Sequence, residues 1–167
     1  MITLGIDPGS QITGYGIIQS QGNRNRLIAA GPIRLNKIQA LGDKLLALQD
    51  QVEALIREHK PNALALEKVF HGVNFNSALK LGYVRGVVIL AAAKHQIPLG
   101  EYAPTEVKKA VCGNGRAEKQ QIQEMVRLLL NLPDVPKPHD VADALAIAIC
   151  HAHQGPILAR YGGGRGR

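Results

Sequence analysis

The sequence predicts a mixed α/β domain, a five-stranded sheet with helices on both faces. Three observations carry that expectation. Three short β-rich runs come first, bounded by Gly and Pro turns, and consecutive strands on short links pair antiparallel. Helical and strand periodicities then alternate, as they do in parallel crossover units. Finally, Ala63-Leu64-Ala65-Leu66 is a continuous apolar run, the pattern of a strand buried on both faces.

The first strand covers about Ile2 to Asp7, an apolar run that ends in a carboxylate followed at once by Pro8-Gly9. The second covers about Gly14 to Ser20 and makes a hairpin with the first, with Asp7 near its rim. Gly22-Asn23-Arg24-Asn25 is a turn, and Arg26 to Arg34 supplies a third strand. A core-facing helix runs from about Leu41 to His59, with Leu41, Leu45, Leu48, Val52 and Ile56 at helical spacing until Lys60-Pro61 stops it. The fourth strand, Ala63 to Glu67, again ends in an acid.

A long helix follows from about Asn76 to His95. It is apolar nearly all round, which predicts burial on two sides, against the sheet and a second subunit. Leu99 to Tyr102 is a short fifth strand, and Pro104 opens a short helix. After Gly113-Asn114-Gly115 comes a helix from about Ala117 to Leu132. A Pro-rich connector then leads to a last helix from Asp140 to about His153. This order fits the ribonuclease H-like architecture, a single nuclease-sized domain over residues 1–153. Residues 154–167, rich in Gly and Arg, are expected to form a flexible basic tail.

The 167 residues suffice for one full core. No apolar run reaches the ~18 residues of a membrane span, and no signal peptide is evident, so a cytoplasmic protein without membrane association is expected. Two cysteines make no disulfide framework; Cys150 reads as a buried hydrophobe, and Cys112 has no Cys-His motif beside it. Lys and Arg outnumber Asp and Glu by 20 to 13, a net charge of +7 that favours a polyanionic partner.

Four acids stand at comparable places: Asp7 and Glu67 at strand carboxyl ends, where open α/β sheets carry their chemistry, and Asp140 and Asp143 opening an apolar helix. Each has a structural reading. Asp7 begins a turn, Glu67 could pair with Lys68 or Arg85, and Asp140 could cap its helix. Asp143 is more telling, because acids at i, i+3 share a helical face and repel unless a cation lies between them. Taken together, the four predict a shared site for Mg²⁺, with Mn²⁺ able to substitute, since all-oxygen donors disfavour zinc. Two such ions about 3.5–4 Å apart serve in-line displacement at a phosphodiester. His139, beside the site, reads by default as solvent-exposed.

Gly5, Gly9, Gly14 and Gly16 would let a phosphate or a backbone approach Asp7. Such a hairpin also begins sugar kinases and actin-like ATPases, but those need two lobes and this chain has room for one. Lys108, Lys109, Arg116 and Lys119 cluster around a glycine turn at a helix start, either an anion site or a solvated charged face. Phe70 and Phe75, on the loop after Glu67, are candidates to stack on an unpaired base.

Several motifs in order resemble one family. Gly5-Ile6-Asp7-Pro8-Gly9-Ser10 with Thr13-Gly14-Tyr15-Gly16, then Glu67-Lys68-Val69-Phe70, then Ser77-Ala78-Leu79-Lys80-Leu81-Gly82 with Arg85-Gly86, then Ala117-Glu118-Lys119, then Asp140-Val141-Ala142-Asp143-Ala144 look like the RuvC family of Holliday junction resolvases. The resemblance covers Met1 to about His153. It implies a homodimeric, Mg²⁺-dependent endonuclease of ribonuclease H-like fold, acting on four-way junction DNA and leaving 5′-phosphate and 3′-hydroxyl ends. It implies metal-binding roles for Asp7, Glu67, Asp140 and Asp143, although some relatives carry His at the Asp140 position. Phe70 matches the junction-stacking aromatic, and Lys108 and Lys119 match basic residues near the scissile phosphate. RuvA and RuvB are the partners it implies. A ribonuclease H-like RNase acting on RNA and a non-catalytic junction-binding protein are the alternatives.

Overall fold

The computed structural model describes residues 1–68 and 74–161, with side chains as far as Gln154. Its strands are β1 (Ile2–Asp7), β2 (Ile12–Gln21), β3 (Arg24–Arg34), β4 (Ala63–Glu67) and β5 (Leu99–Tyr102). Its helices are α1 (Leu41–His59), α2 (Phe75–Lys94), α3 (Pro104–Cys112), α4 (Lys119–Leu129) and α5 (His139–Tyr161). The sheet order is β3-β2-β1-β4-β5, antiparallel through the opening meander and parallel from β1 to β4 to β5. The expected mixed five-stranded sheet is the one formed.

The two faces of the sheet separate by residue parity. Leu4, Ile6, Leu64 and Leu66 point to one side, where Leu48, Val52 and Ile56 of α1 and Val84 and Val88 of α2 cover them. Ala65, Ile18 and Tyr102 point to the other, covered by α3, α4 and α5. Two helices thus close one face and three the other. Glu53 of α1 adds a polar tie to the first layer, pairing with Lys94 at the end of α2 at 2.8 Å.

Three expectations need adjustment. The α4 helix is shorter than its apolar pattern, ending at Leu129, because the Leu130 and Asn131 amides turn back onto Val126 and Leu128. The α5 helix runs on to Tyr161, into the stretch expected to be tail; residues 162–167 lie outside the described residues. And α2 is, by length and composition, apolar enough to cross a membrane, at 20 residues and mean hydropathy 1.2. Its inner stripe nevertheless packs on the sheet through Val84, Val88, Ala91 and Ala92, while Phe75, Leu79, Tyr83 and Leu90 remain exposed on its outer side. The helix is thus held to the core along one stripe and bare along another.

Candidate active site

The site begins with a row of missing side chains. On the three-helix face, Gly16, Gly5, Ala65 and Gly100 are cross-strand neighbours, one from each of β2, β1, β4 and β5. This small-residue row lets α5 lie against the sheet at backbone distance. A Cβ on Gly5 would sit 2.2 Å from the Ala144 carbonyl oxygen, and one on Gly16 would meet Leu145 at 2.6 Å. One on Gly100 would reach His151 Nδ1 at 2.6 Å. The helix therefore crosses the sheet obliquely, from β2 near its start to β5 near His151.

The next row toward the strand ends is Gly14, Asp7, Glu67 and Tyr102. Ile6 is in register with Leu66, so one residue further Asp7 stands beside Glu67 on adjacent parallel strands. By parity both carboxylates leave the sheet on the α5 side. Gly14, at the end of this row, admits the start of α5, where a Cβ would be 2.0 Å from the Asp140 carbonyl oxygen. That approach carries Asp143 to the row. Asp7, Glu67 and Asp143 line one cavity of about 210 Å³ with Lys108 of α3 and Lys119 of α4, walled by Pro104, Val107, Ile122, Ala146 and Ile147.

The electrostatics follow from crowding acids in a half-apolar cleft. Burial, then Asp143, Glu67 and Asp140, push the Asp7 carboxyl from its ordinary 3.8 up to about 8, against the opposing pull of Lys119. Glu67 is raised as well, chiefly by burial and then by Asp143, while Lys108, Arg85 and Lys119 oppose the rise. Lys119 Nζ lies 3.1 Å from Asp143 Oδ2. The site is thus a cluster of carboxylates that repel one another, faced by two ammonium groups.

The family profile described as "Crossover junction endodeoxyribonuclease RuvC" matches residues 3–151. The chain belongs to the RuvC family. It is 50% identical over 163 residues to the crossover junction endodeoxyribonuclease RuvC of Desulfitobacterium hafniense, spanning 98% of this chain and 99% of that protein. The RuvC structure from Thermus thermophilus superposes with a TM-score of 0.87 at 31% identity, covering 94% of this chain and 96% of that one. The T. thermophilus RuvC in complex with Holliday junction substrate superposes at 0.86, with 29% identity and the same coverage.

Within this RuvC-family chain, the other residues singled out in the sequence fall in different places. Asp140 is not among the cavity-lining residues; it lies in the first turn of α5, which starts one residue earlier, and acts on Asp7 as a nearby charge. Lys109 and Arg116 are exposed and line no part of the cleft. Phe75, the first residue of α2, is 80% exposed. Phe70 lies outside the described residues. His139, though exposed, is not free: its Nδ1 is 2.6 Å from Gln123 Nε2 of α4. Gly5 and Gly14 admit the α5 backbone and Gly16 the Leu145 side chain, rather than a phosphate. Arg85 does not pair with the Glu67 carboxylate; it donates to the Glu67 backbone carbonyl and pairs with Glu101.

The donor set fits a hard divalent cation. Among the described residues the cleft lining offers carboxylate oxygens and no thiol or imidazole, the choice of Mg²⁺ and Mn²⁺ rather than zinc. Among the described residues no group of three or more acidic, histidine or cysteine side chains is placed to hold an ion as it stands. Sequence reasoning did not find the apolar walls, since Val107, Ile122 and Ile147 read simply as helix core. The i, i+3, i+4 spacing of Pro104, Val107 and Lys108 held the signal, because it sets two apolar walls and one ammonium on one face of α3.

Proposed function

We propose that this chain is a structure-selective endonuclease that resolves four-way DNA junctions by phosphodiester hydrolysis. One observation carries the reading: in a RuvC-family chain, Asp7, Glu67 and Asp143 arrive from three separate elements at a single cleft that Lys108 and Lys119 also enter. Asp7, Glu67 and Asp143, with Asp140 alongside, would hold Mg²⁺ (Mn²⁺ substituting), as two ions per site. Bound there, the metal supplies Lewis-acid charge stabilisation and a water activated at neutral pH. Lys108 and Lys119 provide fixed positive charge toward a phosphate, preorganised in a cleft with apolar walls where such charge acts more strongly than in water. Exposed Lys109 and Arg116 extend the basic surface for the DNA backbone, and Phe75 offers an uncovered ring for stacking on unpaired bases.

Symmetric cuts on a four-way junction call for two sites related by a two-fold axis. Exposed Leu79, Tyr83 and Leu90, further along α2 than Phe75, support a homodimer built across that helix. The family resemblance extends the proposal to 5′-phosphate and 3′-hydroxyl products, to RuvA and RuvB as partners, and to action in the cytoplasm.

The test presents the purified protein with four-way DNA junctions, linear duplex and RNA, each with Mg²⁺, with Mn²⁺ and with chelator. Paired cuts in the junction alone, requiring the cation and lost in Asp7→Asn, are expected. Equal cutting of RNA, or junction binding without any cutting, would overturn the proposal.

A further inference from the structure

Arg85 reaches from the middle of α2 to the carboxyl ends of two strands on which it does not lie. Its guanidinium donates through Nη1 to the backbone carbonyl of Glu67 and pairs through Nη2 with the carboxylate of Glu101. Its side chain is 13% exposed, against 39% for Glu101. A guanidinium this deeply placed loses hydration, so its two partners must compensate.

The place it grips matters. Glu67 is the last residue of β4. On its far side the Lys68 amide donates to the Tyr102 carbonyl at 2.8 Å. The peptide that carries the Glu67 carbonyl and the Lys68 amide is therefore held at both polar atoms, by Arg85 and by β5. Terminal residues of strands fray unless tied, and the direction of the Glu67 side chain is fixed only as well as this peptide is. Glu101 sits beside Leu66 in the register, so the same guanidinium also joins β4 to β5.

We propose that Arg85 is a positioning residue that aims Glu67 into the cleft by clamping the end of β4, with Glu101 orienting the clamp. Its mounting on α2 ties the helix with the bare apolar side to the strand end bearing Glu67. This inference rests on reading Glu67 as a site carboxylate. It requires no contact between Arg85 and substrate.

Arg85→Gln, Arg85→Lys, Glu101→Gln, the double variant Arg85→Gln/Glu101→Gln and Glu67→Gln as reference would be compared in junction cleavage. Binding of Mg²⁺ alone would be followed by calorimetry, junction affinity without metal by anisotropy, and folding by thermal melting. Misaiming a reacting group by ~1 Å costs on the order of 10²-fold in rate, so Arg85→Gln should lower kcat by about 10- to 100-fold. KM and metal-free junction affinity should stay within about twofold, and Mg²⁺ binding should weaken as the Glu67 oxygens lose their aim. Arg85→Lys, keeping the charge and one donor, should recover part of kcat. The double variant should be no worse than Arg85→Gln alone, because Glu101 acts through the guanidinium. Should Arg85→Gln fail to fold, Glu101→Gln carries the test, with a several-fold loss of kcat expected and an unchanged kcat overturning the clamp. Wild-type kcat in Arg85→Gln beside an inactive Glu67→Gln would overturn the inference, as would a loss confined to KM. An active Glu67→Gln would instead overturn the reading of Glu67 on which it stands.

Discussion

Lys119 Nζ lies 3.1 Å from Asp143 Oδ2, joining the first residue of α4 to the first turns of α5. A cation at a helix N-terminus opposes the macrodipole at a cost of about 0.3–1 kcal/mol. The lysine side chain is also 58% exposed, and exposed pairs contribute only ~0–1 kcal/mol. Lys119 is thus poorly placed for stability and well placed for the cleft, where it opposes the raised pKa of Asp7. Lys119→Ala should change the unfolding free energy by less than about 1 kcal/mol while lowering junction cleavage by about 10²-fold, the scale for removing one preorganised charge partner. Chemical denaturation beside single-turnover cleavage checks both halves.

Asp7 trades stability for charge. Unfolded, its carboxyl releases a proton near 3.8; folded and without metal, it does so near 8. Between those values the folded state holds the extra proton, so the metal-free protein loses stability as pH rises from about 4 toward 8. Asp7→Asn removes this penalty. In chelator at pH 7.5 the variant should be more stable than wild type by something on the order of 2–4 kcal/mol, with the difference vanishing near pH 4. It should not cut junctions. A variant that melts no higher than wild type at pH 7.5 in chelator would contradict the crowding of acids around Asp7.

How far the sequence could be read depended on whether a feature is local. The α1 helix and the β4 and β5 strands appear at their expected bounds because each is set by its own periodicity and its own Gly or Pro stop. Asp7 and Glu67 were legible for the same reason, as acids terminating apolar strands. The site's depth was not. Gly5, Gly14 and Gly16 are plainly visible as glycines, but only the register that aligns Gly5 with Gly16 and Ala65 turns them into a seat for α5. Asp140 was legible as an acid opening an apolar helix, but its nearness to Asp7 follows from the Gly14 seat that brings the start of α5 against β2.

That seat makes Gly14 the position where fold and site fail together. A Cβ there would lie 2.0 Å from the Asp140 carbonyl oxygen, which is backbone and cannot swing aside. Gly14→Ala should therefore destabilise by at least the ~1–3 kcal/mol typical of overpacking and lower cleavage as Asp143 is lifted away from Asp7. Gly42, in the first turn of α1, is the matched control, with nothing within 4 Å of its added Cβ. Gly42→Ala should be neutral or stabilising by up to about 1 kcal/mol through helix propensity and unfolded-state entropy, with cleavage intact. Thermal melting and cleavage of the pair separate crowding at α5 from the generic effect of glycine replacement.

The middle of α5 is anchored by a buried neutral pair, Tyr102 Oη and His151 Nδ1 at 2.8 Å. Burial pushes the Tyr102 hydroxyl up to about 12 and the His151 imidazole below its ordinary 6.5, so both stay uncharged at neutral pH. With the hydroxyl donating, protonation of His151 would set two donors against each other. Unfolded, His151 takes up a proton as pH falls through 6.5; folded, it resists until lower pH. Its contribution to stability is therefore complete above pH 6.5 and is lost as pH falls below that value. His151→Leu should flatten the decline in wild-type melting temperature between pH 6.5 and 5. Tyr102→Phe, which leaves Nδ1 buried without its partner, should cost about 1–3 kcal/mol at pH 8. Because Tyr102 ends the row that holds Asp7 and Glu67, that variant should also loosen α5 over the cleft. Amide exchange around Asp143 is then expected to quicken, and unchanged exchange there would mean that α5 is seated by the glycine row alone.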